Sequence, residues 1–269
     1  MIYTLRIYLR FISVQIRSQM QYRFPFFIDL LATGFTTLAG FVTLAFVLQL
    51  FGNIGGWDLG EIAFLYGMVE TSFGLMDMIF SGFDPANFGR QTRLGRFDQL
   101  LLRPVNITIQ VLGSEFVIRR LGRIAQGIGV LAIAFSLVHI DWSLIKLLYF
   151  PIVLASLIAF FGGLFIIGAT FSFWTLDSIE IINIFTYGGT EMMSYPMQIY
   201  PDWLRNFFTL VLPAIFLNYY PGLYFLGKPD PLHFPSFAPF LAPLAGFGVL
   251  GIALIFWQYG IRHYQSTGT

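Results

Sequence analysis

Three carboxylates stand in stretches where an apolar chain ought not to tolerate them. Glu70 and Asp77 lie in the apolar run 59–82, and Glu191 lies in the apolar run 179–199. A spacing of seven residues puts Glu70 and Asp77 on one face of a helix. A carboxylate at the centre of a bilayer costs on the order of 3 kcal/mol unless it is paired, protonated or wet, so such residues mark pathways for ions or substrates. All three are candidates for lining a pathway or an interface between chains. The plainer reading of Glu70 is a hydrogen bond to a neighbouring helix. Asp77 stands near the end of its run, where water or an arginine is within reach.

Groups that would make or break covalent bonds are missing. No cysteine is present, which excludes disulfides, thiolate nucleophiles and cysteine metal sites. His139, His233 and His263 are too scattered to gather round a metal. No serine has a G-x-S-x-G setting. No G-x-x-x-x-G-K-[ST] loop is present to cradle ATP phosphates. GNIGG at 52–56 and YGGTE at 187–191 are rich in glycine but lack the lysine. The chain is expected to be no enzyme and to bind no cofactor, metal or nucleic acid of its own.

The elements that must hold these residues follow from composition. Of 269 residues, 57% are hydrophobic and 11% charged, against roughly 25% charged in a soluble domain. With a mean hydropathy of +0.73, the chain must take lipid as its solvent. An all-α polytopic membrane protein is expected. A crossing helix needs about 20 apolar residues. Six runs serve: 24–50, 59–82, 124–140, 144–174, 179–199 and 237–260, with Pro151 interrupting the fourth. The stretch 202–227 is also apolar, but Pro213, Pro221 and Gly222 break it. It reads as a re-entrant hairpin, with a seventh crossing as the alternative. Six crossings place the arginines at 6, 10, 17, 23, 90, 93, 96, 103, 119, 120, 123 and 262 on one side, leaving Lys146, Arg205 and Lys228 on the other. The arginine-rich side is then cytoplasmic, and both termini with it. Glycines at 127, 129, 162, 163, 246, 248 and 251 offer small faces for helix packing.

Residues 1–23 hold no secretory core, because arginines interrupt every apolar stretch. Arg6, Arg10 and Arg17 share one helical face, and Leu5, Leu9, Ile12 and Ile16 an adjacent one. An interfacial helix on the cytoplasmic surface is expected, serving as an anchor or also as a docking element. The cytoplasmic loop 84–123 carries seven arginines and is too small for a catalytic domain. Within it, RLGRFDQLLLRPVN (93–106) repeats Phe97, Leu100 and Leu101 at helical spacing and stops at Pro104. A second helix is expected from about Ile107 to Arg123, leading into the third crossing. A basic loop alone would serve anionic lipid. The apolar stripe suits a groove on another protein. The expected contacts are Phe97, Leu100 and Leu101, flanked by Arg93, Arg96 and Arg103; Asp98 has no assigned role.

RLGRFDQLLLRPVN resembles the G-x-[LF]-D-x-L-L-x-R-P signature of type-2 ABC transporter permeases, in the branch with short six-span chains. SYPMQIYPDWLRNFFTLVLPAIFLNYYPG (194–222) and FWQYGIRHYQSTG (256–268) resemble two further motifs of that branch, in the family's order. The resemblance implies an exporter subunit in a bacterial inner membrane. The N-terminal helix would be its connecting helix, and the helix at Arg96 to Leu102 its coupling helix. Two permease chains, identical or divergent, would enclose one pathway. Two separate ABC ATPase subunits would hold ATP and magnesium.

Overall fold

The computed structural model describes residues 2–21, 52–175 and 180–266, together with 24, 27–28, 31–32, 34–36, 38–40, 42–43 and 46. Much of the expected crossing 24–50 lies outside the described residues, as do Arg23 and Asp29; its described residues are helical. The protein is all-helical, with 78% helix and no strand among the described residues. Helix α1 (Ile2–Gln21) is followed by α2 (Leu59–Ile79), then by α3 (Pro85–Arg93), α4 (Arg96–Leu101) and α5 (Ile107–Ser114) in the loop. Helices α6 (Leu121–Leu137) and α7 (Leu144–Phe171) come next, then the helical segment Glu180–Met193. The chain closes with α8 (Asp202–Leu210), α9 (Tyr219–Leu226) and α10 (Ala242–His263).

Among the described residues, four helices are long and apolar enough to cross a membrane: Leu59–Ile79, Ile118–Leu137, Leu144–Phe171 and Ala238–His263. They correspond to the expected crossings 59–82, 124–140, 144–174 and 237–260. Pro151 leaves α7 unbroken, as transmembrane helices often allow. The pair Asp202–Leu210 and Ala214–Leu226 passes the same test only jointly, with a bend of 78°. The break falls at Pro213, which has no N–H to give. The expected run 179–199 is interrupted. Its helix stops at Met193, and Ser194 to Pro196 are irregular, because proline excludes the residue before it from helical geometry.

Helix α2 starts on a capping box. Asp58 accepts the Glu61 N–H and Glu61 accepts the Asp58 N–H, both at 2.9 Å. It packs along α6 and α7 and is largely buried, whereas α6 and α10 keep most of their surface exposed. Close approach depends on missing side chains. A Cβ on Gly127 of α6 would come 2.6 Å from the Thr71 nitrogen of α2. A Cβ on Gly246 of α10 would strike the Ser156 carbonyl of α7. Gly129, Gly248 and Gly251 instead face open space.

The loop departs from expectation at one point. The helix expected from Ile107 to Arg123 ends at Ser114, and Glu115 is extended (φ −136°, ψ 132°). Helix α1 supplies what the break exposes. Gln15 donates to the Ser114 carbonyl, and Gln19 donates to the Phe116 carbonyl at 2.5 Å and accepts the Ile118 N–H at 3.1 Å. Asn87 and Gln91 of α3 donate to the Glu115 carboxylate. The exchange meets the requirement that buried backbone groups find partners.

Gly246→Ala is expected to lower the melting temperature of the detergent-solubilised chain, at a cost of about 1–3 kcal/mol for overpacking. Gly248→Ala should leave it unchanged. Equal melting of the two variants would contradict this packing.

Candidate functional site

Two of the three carboxylates of α2, Glu70 and Asp77, meet two arginines at the start of α6. Arg123 grips Glu70 with both sides of its guanidinium, Nε to Oε2 at 2.6 Å and Nη2 to Oε1 at 2.9 Å. Arg120 Nε lies 2.8 Å from Asp77 Oδ2, an ion pair whose N–H does not aim along a hydrogen bond. Glu70 and Asp77 are each 2% exposed. The order is reversed between the antiparallel helices, so the pairs stand one above the other. A bidentate Arg–carboxylate pair is both strong and specific in geometry. The Arg123 guanidinium also sits 4.3 Å from the centre of the Phe73 ring. An arginine within reach of Asp77 and a bond from Glu70 to a neighbouring helix are expected from the sequence; that Arg120 and Arg123 are the partners is not.

Glu70 also lines a cavity of about 490 Å³. Its walls include Tyr66 from α2, Arg123 from α6, and Tyr187, Thr190 and Glu191 from the segment Glu180–Met193. Thr36 and Gly40, from the expected first crossing, close it further. Glu70 and Glu191 are thus brought together, while Asp77 is not on this wall.

A second candidate surface is the loop. Gly95 turns the chain at φ +68° to start α4, a conformation glycine adopts at little cost. Phe97 then points inward and is 2% exposed. Its ring lies 5.7 Å from Phe88, 4.9 Å from Phe173, 6.1 Å from Trp257 and 4.8 Å from Tyr264. The expectation that Phe97 touches a partner is therefore corrected: its ring is core, because four aromatic neighbours enclose it. Leu100 is also packed against the core. The outward apolar residues are Leu94 (62% exposed), Leu101 (42%) and Leu102 (86%). Arg93, Arg96 and Arg103 are exposed around them, as are Arg6, Arg10 and Arg17 on α1.

Asp98 acquires a role. Its Oδ2 accepts from Ser266 Oγ at 2.8 Å, tying the C-terminal tail to α4. Burial, and then the Asp98 carboxylate beside it, push the Tyr264 phenol up to about 12. Trp257 donates its indole N–H to Thr108 at 3.1 Å, fixing α10 to α5. Gln110 closes α4 from below by donating to the Leu100 and Val105 carbonyls at 3.1 and 2.8 Å.

The model of a family described as ABC-2 family transporter protein matches residues 35–268. The chain belongs to that family. It is a type-2 ABC transporter permease, an integral membrane component whose family works with an ABC ATPase and carries no nucleotide-binding domain of its own. No curated protein and no solved structure matches the chain.

Two of the permease's three motifs dock on each other. Phe97 and Asp98 come from the loop motif, while Trp257, Tyr264 and Ser266 come from the C-terminal one. The remaining motif holds the opposite end. Its fully buried Asn218 donates to the Leu65 carbonyl of α2 at 3.2 Å and to the Met193 carbonyl at 2.7 Å. Lys228, just beyond, lies 2.6 Å from Glu61 Oε1 at the start of α2.

Glu70→Gln is expected to destabilise the permease by about 3–5 kcal/mol, since it strands the buried Arg123 charge. Adding Arg123→Met should recover most of the loss. Thermal melting in detergent reads both, and a Glu70→Gln protein that melts like wild type would refute the pair's structural role.

Proposed function

We propose that this permease is half of the membrane pathway of an ABC exporter, driven by separate ATPase subunits that dock on α4. The observation that carries the reading is the outward face of α4. Leu94, Leu101 and Leu102 project from the loop with Arg93, Arg96 and Arg103 around them, in a chain whose family needs an ATPase partner. Apolar anchors with a basic rim suit a groove on a folded protein better than a lipid surface alone. The inward side of the same helix is locked to α10 and the tail, so a push on α4 has a stiff path into the bundle.

The assembly proposed around this contact has two permease chains, identical or divergent, and two ATPase subunits that hold ATP and magnesium. Each permease crosses a bacterial cytoplasmic membrane six times, with α1 lying at the cytoplasmic surface and both termini inside. The bent pair α8 and α9 forms the outer re-entrant hairpin. Export as the direction follows from the likeness of the motifs to those of exporter permeases. A transporter or channel independent of ATP is the rival, and it would leave the exposed face of α4 without an occupant.

Leu101→Asp with Leu102→Asp should cut recovery of the ABC ATPase with the affinity-purified permease by about tenfold or more, since two apolar anchors that the proposed contact would bury are replaced by charges. The melting temperature should hold, because both side chains are exposed. Phe97→Ala should instead lower the melting temperature, at about 3–5 kcal/mol for a core aromatic. Undiminished ATPase recovery with the double aspartate variant would defeat the docking reading.

A further inference from the structure

We infer that the cavity between α2, α6 and the segment Glu180–Met193 binds an amphiphile bearing one organic cation, such as an alkylammonium group, with Glu191 as its counter-charge. The inference rests on the permease reading and adds a substrate class to it. The cavity, about 490 Å³, falls within the roughly 300–1,000 Å³ of ligand sites. It reaches Glu70, at the middle of the membrane-length helix α2, so an occupant is taken well into the depth of the bundle.

Charge selects the occupant. Among the described residues, two carboxylates and one guanidinium line the wall: Glu70, Glu191 and Arg123. Arg123 commits two N–H groups to Glu70 at 2.6 and 2.9 Å. Glu191 has no hydrogen-bond or ion-pair partner among the described residues, and its side chain is exposed toward the cavity. One negative charge is therefore left over. An anionic ligand would meet it unfavourably, and an apolar one would leave it stranded. A second copy of the chain, docked here about a two-fold axis, would present its own Glu191 to the same patch.

The aromatic lining agrees. Tyr66 and Tyr187 both face the cavity, and tyrosine faces attract organic cations electrostatically. Tyr187 is delivered by a π-helical turn, Ile184–Gly188, a distortion frequent at functional sites. The following residues return to an α-helix that carries Glu191. The site thus combines a carboxylate, two phenol rings and room for an apolar body.

The test is a titration of the full chain, in maltoside micelles free of amine lipid, with ethidium, a monovalent lipophilic cation, followed by fluorescence anisotropy. Saturable binding is expected. Glu191→Gln, which keeps shape and loses charge, should weaken it by about tenfold. Tyr187→Leu should weaken it by about threefold. Absent or non-saturable binding to wild type overturns the inference, and so does a Glu191→Gln protein that binds as wild type does. ATPase recovery is read on the same preparations: intact recovery with unchanged ethidium binding in Glu191→Gln sinks the site alone, whereas lost docking sinks the permease reading. Competition distinguishes the natural source. Displacement by phosphatidylethanolamine and not by phosphatidylglycerol points to an aminophospholipid, and resistance to both points to a soluble lipophilic cation.

Discussion

The grip of Arg123 on Glu70 sets the height of α6 against α2, and much of the structure depends on that height. Lipid offers a charge no partner, so the inner carboxylates of α2, Glu70 and Asp77, must be met from a neighbouring helix. Helix α6 meets them by starting at Leu121, where Arg120 and Arg123 come level with Asp77 and Glu70. The chain then cannot run as one helix from Ile107. It breaks at Glu115, and the exposed peptide groups are taken up by Gln15 and Gln19 of α1. A helix that would otherwise only lie on the surface is thereby strapped beneath the bundle. Glu191 alone of the three intramembrane candidates escapes this pairing.

The end of the bundle that carries the arginine-rich loop is organised round aromatic rings. Phe97 enters a cluster with Phe88, Phe173, Trp257 and Tyr264, which brings together the loop, the end of α7, and α10 with its tail. Such pairs add roughly 0.5–1.5 kcal/mol each beyond their buried area. Ser266 on Asp98 closes the arrangement. The short helix α4 would be marginal by itself. Held by rings on one side, it can present leucines and arginines on the other without bending. That stiffness is what a mechanical contact between a motor subunit and a membrane bundle requires.

Much of this is legible in the sequence. Long apolar runs mark α2, α6, α7 and α10, because lipid imposes both length and composition. Pro213 marks the break between α8 and α9, where the chain lacks an N–H to continue the ladder, although Pro151 and Pro221 lie inside unbroken helices. What stayed hidden depends on distant partners. The stripe Phe97, Leu100 and Leu101 declares that α4 has an apolar side, but not that Phe97 and Leu100 turn inward while Leu101 and Leu102 turn out. That choice is made by rings from α3, α7 and α10. Glu70 and Arg123 are 53 residues apart, and Gln19 bonds a carbonyl 97 residues away. Local periodicity contains neither pairing, although the reversed order of two acids and two arginines on adjoining helices hinted at the first.

Because the chain holds no cysteine, single cysteines can report directly on the docking face proposed for α4. Leu102→Cys and Phe97→Cys, each introduced alone, are exposed in native membranes to a short bifunctional crosslinker reaching from thiol to amine. Leu102→Cys should yield a covalent adduct with the ABC ATPase, and Phe97→Cys, buried among four rings, should yield none. An adduct from Phe97→Cys alone, or from neither position, would contradict the assignment of the outward face of α4 as the seat of the motor.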